Sequence, residues 1–219
     1  MSKLKLLGST SGHTMLSAPA SAGSNTLVLP PNNGSANQVL QTDGNGNLTW
    51  VDLPTFSSPI DVITTWKLDA NQSAGEQIPI SSHWVNESTE DQGLTPSSQS
   101  GGAVAQSSGV FSFPKTGIYL IIASFGTQLN GDSRWNSFYL ETTTNNGGAW
   151  DQSSVTNQAI SQGQSDNNYG WHAMQYVADI DNISNDKVRF KFRCSNSSTI
   201  VTGGGNENFG SVTFIRIGS

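Results

Sequence analysis

The chain has 219 residues, which is enough for one domain with an appendage or for two small domains. Ser, Asn, Thr and Gln together make up 84 of these residues, whereas charged residues make up only 12%, about half the usual share. Nine Phe, six Trp and four Tyr argue against a disordered chain, which is normally poor in aromatic residues. The composition therefore favours short strands joined by polar turns.

The net charge of −6 argues against binding to nucleic acid, because a surface for phosphates needs clustered cations. The longest apolar run, Ile118–Ala123, is far too short for membrane insertion, and the N-terminus lacks the apolar core of a secretion signal. One cysteine, Cys194, cannot form a disulfide within the chain. Stability must therefore come from packing or from partner chains.

Residues 1–55 consist of short apolar segments separated by Gly, Pro, Ser and Asn, the residues of tight turns. The sequence Asp-Gly-Asn-Gly-Asn at 43–47 predicts a hairpin turn, because these residues tolerate positive φ angles. Strands this short cannot bury a core, so the segment needs a surface to dock on, and copies of itself would provide one. Two prolines within residues 53–59 mark the boundary to a second domain, residues 56–219. The strands predicted before the boundary are Lys3–Leu7, Thr26–Leu29, Gln38–Leu40 and Leu48–Leu53.

Longer strand candidates follow the boundary, and no window shows a sustained helical period of 3.6 residues. The predicted class is therefore all-β. The candidates are Val62–Leu68, Gly109–Phe113, Ile118–Phe125, Trp135–Thr144, Trp150–Ile160, Trp171–Ile180, Lys187–Cys194 and Ser211–Ile217.

The run at 118–123 is apolar at every position, as expected of a strand that is buried on both faces. In a two-sheet sandwich the chain itself normally covers only one face of a strand, so a neighbouring subunit is expected to cover the other. This reasoning places Tyr119, Leu120, Ile121 and Ile122 at a subunit interface.

Four cations alternate with apolar residues along one strand, which places Lys187, Arg189, Lys191 and Arg193 on the same face. Such a face could meet an acidic polysaccharide or a neighbouring protein. We favour a solvated outer face whose charge discourages edge-to-edge pairing.

Three passages resemble the globular head of complement-type proteins, a member of the tumour-necrosis-factor-like jelly rolls. Residues 109–119 are similar to its G-x-F-x-x-P-x-x-G-x-Y passage, and residues 209–217 to its closing strand. Residues 177–188 resemble its L-x-x-G-D-x-V corner, with Asn185 where glycine is usual. The resemblance covers roughly residues 60–219. It implies an antiparallel two-sheet jelly-roll sandwich, a homotrimer, and one sheet of each sandwich facing the threefold axis.

The N-terminal segment resembles fibre and appendage proteins of bacteriophages, particularly those of marine bacteria. The similar phrases are residues 8–12, 18–30 and 37–51. Together the two resemblances imply a virion tail fibre that is assembled in the host cytoplasm. Its hairpin-rich stalk, residues 1–55, would join other virion proteins, and its head would attach to the host surface.

Two other functions stay open. One is a fibre that decorates the capsid surface without a dedicated receptor. The other is a spike that degrades polysaccharide, which is disfavoured because the chain is short for a parallel β-helix and shows no pair of carboxylates at a glycosidase spacing.

The long polar connections of the second domain are the candidate ligand site. If the closing strand ends beside the stalk, strand alternation places residues 128–134, 161–170 and 195–210 at the far apex. Aromatic rings there could stack on a sugar while amides and carboxylates bind its hydroxyls, although such loops are also commonly just solvated. The predicted contacts to a host-surface glycan or protein are Arg134, Trp135, Asp166, Asn167, Tyr169, Asn206, Glu207 and Asn208.

Neither catalysis nor a cofactor is expected. His13, His83 and His172 lie on different segments without a common catalytic motif. Two acidic groups, residues 87–91 and residues 179–181, have oxygen ligands of the type that calcium prefers, but solvated loop charge is the commoner role. The sequence therefore predicts no metal.

Overall fold

The computed structural model describes residues 3–17, 19–21, 23–53, 60–86, 101–163, 165–204 and 209–218. These residues form strands, turns and loops, and no helix among them could span a membrane. The chain divides into two compact units, residues 1–57 and 58–219, here called the N-terminal and C-terminal units. The described strands are β1 (Lys3–Leu7), β2 (His13–Ser17), β3 (Gln38–Thr42), β4 (Leu48–Asp52), β5 (Ile63–Leu68), β6 (Trp84–Asn86), β7 (Ala105–Ser107), β8 (Val110–Ser112), β9 (Gly117–Leu129), β10 (Ser133–Thr143), β11 (Asp151–Ile160), β12 (Asn168–Ile180), β13 (Lys187–Cys194), β14 (Ile200–Thr202) and β15 (Gly210–Gly218).

The N-terminal unit contains two antiparallel hairpins, β1–β2 and β3–β4. The predicted turn at 43–47 is confirmed: Asp43 Oδ1 accepts hydrogen bonds from the backbone N–H groups of Asn45 at 2.8 Å and Asn47 at 3.2 Å. Gly44 and Gly46 have the positive φ angles that this turn requires. The predicted strand at 26–29 is wrong, because only Val28 forms an isolated bridge there, opposite Asn47.

The C-terminal unit is a sandwich of two antiparallel sheets. A five-stranded sheet has the order β11-β10-β13-β8-β7. A six-stranded sheet has the order β12-β9-β15-β5-β6, with β14 also paired to β9. The eight strands predicted in this unit are confirmed. Three further strands of this unit were not predicted. β6, β7 and β14 have three residues each, which is too short to show an alternating pattern.

Aromatic rings from both sheets fill the space between them. Phe125 of the six-stranded sheet stacks on Phe138 of the five-stranded sheet, with ring centroids 4.6 Å apart. Trp84 and Phe111 make an edge contact between the sheets at 5.2 Å. Such offset and edge contacts stabilise a core beyond the apolar area that they bury.

The interface prediction for residues 119–122 needs a correction. Tyr119 and Ile121 point between the two sheets and are completely buried by their own chain. Leu120 and Ile122 point to the opposite face of β9, where Leu120 is half-buried and Ile122 is 38% exposed. Because the sandwich itself covers one face of β9, only Leu120 and Ile122 are available to a neighbouring subunit.

The corner at 181–186 forms although Asn185 stands where the complement-type head usually has glycine. The Asp186 carboxylate accepts hydrogen bonds from the N–H groups of Asp181 at 2.9 Å and Asn182 at 2.7 Å. Asn185 does not have a positive φ angle. A side chain is therefore tolerated at this position.

Candidate functional site

The three connections predicted at the apex meet at one end of the C-terminal unit. Asp132, between β9 and β10, accepts a hydrogen bond from the Gln162 N–H at 2.6 Å through its carboxylate. Its backbone carbonyl accepts one from the Asn196 side chain at 3.0 Å. Asn130 donates to the Ser165 carbonyl at 3.3 Å and accepts from the Gln162 side chain at 3.0 Å. These bonds tie the three connections into one surface, here called the loop end.

Asp61, among the first described residues of the C-terminal unit, lies at the opposite end of that unit. Asp61 binds Lys115 at 2.8 Å, in the turn before β9, and Arg216 at 3.2 Å, near the end of β15. The hydrogen bond from Lys115 lowers the pKa of Asp61, which keeps the carboxylate charged. At this end the Asn146 N–H also binds the Asn185 carbonyl at 2.9 Å. The loop end is therefore the end of the unit farther from Asp61.

Four of the predicted contact residues lie at the loop end, in two separate groups. Arg134 and Trp135 are exposed at an irregularity in the first residues of β10. Asp166 and Asn167 are exposed in the connection to β12, where Asp166 accepts a hydrogen bond from the Asn167 N–H at 2.7 Å. The predicted contacts Asn206, Glu207 and Asn208 lie outside the described residues.

Tyr169 does not belong with the loop residues. Its 59% exposed side chain lies on the outer face of the six-stranded sheet, the face that points away from the core. Trp171, two residues further along β12, lies on the same face and is 53% exposed. Trp171 stacks with Phe209 at a centroid distance of 5.8 Å and reaches over Gly126. Tyr169 and Trp171 therefore belong to the outer surface of the six-stranded sheet and not to the loops.

An aliphatic row crosses this outer face. Val177 on β12 lies directly opposite Leu120 on β9, Leu120 opposite Ile215 on β15, and Ile215 opposite Ile63 on β5. Val177 is 55% exposed, and the other three are half-buried. We call this set, together with Ile122 and Trp171, the outer apolar face. The sequence pattern alone does not reveal Ile63, Val177 and Ile215, because only the strand register brings them into one row with Leu120.

The basic strand 187–193 has a different environment from the one predicted. β13 lies in the middle of the five-stranded sheet, so its charges cannot protect a sheet edge. Arg189 and Lys191 both bind Glu141, and Arg193 binds Glu76. The Lys187 ammonium group donates to the Ile183 carbonyl at 2.6 Å. Because each cation has a partner within the chain, this strand offers no free basic patch for an acidic ligand.

The described residues contain no group of three or more His, Cys, Asp or Glu side chains that could hold a metal ion. His172 is 2% exposed beneath Phe138, and neither of its ring nitrogens has a hydrogen-bond partner in the described structure. Burial lowers its pKa to about 4. Burial also raises the pKa of the Cys194 thiol, so this cysteine lacks the thiolate character of a nucleophile.

No protein-family model and no curated protein sequence matches the chain. Among solved structures it is similar to Eiger TNF from S. frugiperda, with 11% sequence identity and a TM-score of 0.50. This match covers 72% of the chain and 92% of Eiger TNF. Murine APRIL, in structures at pH 8.0 and pH 5.0, has 10% identity and TM-scores of 0.46 and 0.48, covering 70% of this chain and 97% of APRIL. The likeness to Eiger TNF shows a TNF-like jelly-roll fold.

Proposed function

We propose that the protein is a non-enzymatic virion fibre that forms a homotrimer through the outer apolar face and attaches to the host surface through the loop end. The observation that carries this proposal is the aliphatic row from Val177 to Ile63. Its members line up across four strands, and on a single chain Val177 is exposed while the other three are half-buried.

Association of chains would remove this row from water. Taking a Val, Leu or Ile side chain from full exposure to full burial contributes roughly 1.5–3 kcal/mol. Three of the four residues are already half-buried on the single chain, so each of those contributes only part of this amount, and the driving force comes from the row as a whole. Trp171 adds a large ring to the same face. Exposed apolar surface that is continuous over several strands is typical of an interaction site.

The loop end supports the attachment function because it combines an exposed indole ring, an exposed guanidinium group and several amides. Trp135 can stack on an apolar sugar or peptide surface, and Arg134 can bind a carboxylate or phosphate. The hydrogen bonds around Asp132 hold the neighbouring connections in one arrangement. A site that is ordered before binding loses less entropy when the ligand arrives.

The location on a virion rests on the resemblance of residues 8–12, 18–30 and 37–51 to phage fibre sequences. Antibodies against the C-terminal unit, viewed by electron microscopy on phage particles, test it directly. Labelling of the tail supports a tail fibre, and labelling of the capsid supports a decoration fibre. Absence of the chain from particles would overturn the virion assignment.

Two exposed valines on edge strands provide a matched test of the trimer. Val177→Asp places a charge on the outer apolar face, whereas Val155→Asp places one on β11, where the valine is 51% exposed. We expect light scattering to give three times the chain mass for the wild type and for Val155→Asp, and a lower mass for Val177→Asp. A monomeric wild type would overturn the trimer.

Attachment is tested with a panel of purified lipopolysaccharides and capsular polysaccharides. We expect Arg134→Ala with Trp135→Ala to weaken binding while the trimer mass stays unchanged. Release of oligosaccharide from any of these polymers would contradict the non-enzymatic assignment.

A further inference from the structure

The N-terminal unit orders its backbone without burying its side chains. Both hairpins have complete antiparallel registers. Even so, none of the side chains described between residues 4 and 53 is buried. A two-stranded hairpin is marginal in water unless a further layer covers its apolar face. The exposed apolar side chains of these hairpins therefore need a further surface to pack against, and the described part of the unit does not supply one.

The first hairpin shows most clearly where that cover is needed. Leu4 lies opposite Leu16 and Leu6 lies opposite Thr14, so these four side chains share one face of the hairpin. Leu4, Leu6 and Leu16 are 58%, 53% and 62% exposed. We call this surface the leucine face. It contains no charged residue.

The other face of the same hairpin is mixed. Lys5 lies opposite Met15, and Leu7 opposite His13. A hairpin with one uncharged, leucine-rich face and one face that carries Lys and His is amphipathic, as expected of a strand pair that covers something with one side.

We propose that the leucine face is covered by copies of the same hairpin, so that the N-terminal unit completes its folding only when chains associate. The choice of copies rests on charge, because the four side chains of the leucine face are all uncharged. Copies would therefore not repel one another there, and no group on this face would select a partner of opposite charge.

The connection to the C-terminal unit strengthens this choice, and this step rests on the proposed function. The nearest residue of the leucine face, Leu16, is separated from Ile60 by 43 residues, 17–59. A trimer of C-terminal units would hold three leucine faces on tethers of this length, at an effective concentration on the order of millimolar. A different protein that binds one leucine face would have to compete with the leucine faces of the other two chains.

Hydrogen exchange of the full-length chain, followed by mass spectrometry of peptides from residues 3–17, tests the proposal. Thr14→Asp with Leu16→Asp charges the leucine face. His13→Asp with Ser17→Asp adds the same charge on the same strand but on the other face. We expect the leucine-face variant to exchange roughly 10-fold faster than the wild type, and the control to stay within about 2-fold of it. Equal exchange in the two variants would overturn the proposal.

A second measurement separates this inference from the proposed trimer. In Val177→Asp, which should weaken association of the C-terminal units, we expect protection of residues 3–17 to rise with protein concentration. Light scattering on the same samples reports the state of the whole chain. Protection that does not change with concentration would overturn self-association of the leucine face, even if the wild type is trimeric. A monomeric wild type whose residues 3–17 become protected at high concentration would overturn the trimer and support this inference.

Discussion

Glu141 on β10 and Arg189 on β13 lie directly opposite each other, with the Arg189 Nε 2.6 Å from Glu141 Oε2. The other carboxylate oxygen of Glu141 binds the Lys191 ammonium group. The Glu141 side chain is only 4% exposed, and the cations also pack over Trp150 and Tyr139. One carboxylate thus pairs with two cations on the outer face of the five-stranded sheet, and the three groups together keep one positive charge.

Glu141→Ala should therefore destabilise the C-terminal unit strongly. It leaves two poorly solvated cations close together, and we expect the free energy of unfolding to fall by about 3 kcal/mol. Denaturant unfolding at a fixed chain concentration measures this change. Glu76→Ala is the control, because it breaks a more exposed pair with Arg193 and should cost less than about 1 kcal/mol. Similar losses in the two variants would contradict this account.

His172 should make the C-terminal unit less stable in mild acid. Its pKa is about 4 in the folded chain and about 6.5 in the unfolded chain, so between these values only the unfolded state holds the proton. The free energy of unfolding should consequently fall as pH drops, by about 2 kcal/mol between pH 7 and pH 5. Unfolding titrations across this range measure the slope.

The control for this prediction is His172→Phe, which keeps a ring beside Phe138 but cannot be protonated. We expect the pH dependence between pH 7 and pH 5 to become much weaker in this variant. His13 and His83 remain in both proteins, so their contributions cancel in the comparison. An unchanged slope would show that burial of His172 does not control the acid sensitivity.

Gly126 should be sensitive to the smallest substitution. A Cβ atom at this position would lie 2.2 Å from Thr202 Oγ1 and 3.2 Å from the Phe209 carbonyl oxygen. Gly126→Ala should lower the free energy of unfolding by about 1–3 kcal/mol and displace Trp171. Gly163→Ala is the control, because the nearest atom to its added Cβ would be 3.8 Å away. Unfolding curves and tryptophan fluorescence report the two effects, and equal behaviour of the variants would disprove the steric argument.

Asp43 should hold the turn of the β3–β4 hairpin. Its carboxylate accepts hydrogen bonds from two backbone N–H groups and from the Asn47 side chain, and the bond from that side chain is the main cause of its lowered pKa. Asp43→Ala should speed hydrogen exchange at Asn45 and Asn47, whereas Asp52→Ala removes only the bond from Gln38. Unchanged exchange at both amides would show that the glycine geometry alone sets the turn.

Much of the strand pattern could be predicted from residue types. The apolar run in β9, the alternation of β13 and the turn at Asp43 all depend on neighbours within a few residues, and periodicity captures such local preferences. The jelly roll could be predicted from the resemblance to the complement-type head, because the motifs that define this resemblance are short and can be read directly from neighbouring residues.

Residue types alone were enough to predict a chain rich in strands, a run at 118–123 that is apolar on both sides, and an N-terminal segment of strands too short to bury a core. The three-dimensional arrangement was needed to show that Tyr119 and Ile121 belong to the core of their own chain, that Val177 and Ile63 extend the row of Leu120, and that Glu141 pairs with Arg189 and Lys191. The physical reason is that alternation defines the two faces of a strand, whereas sheet order and register decide what covers each face. Those relationships join residues that are far apart in the chain: Glu141 and Arg189 are separated by 48 positions, and Ile63 and Ile215 by 152.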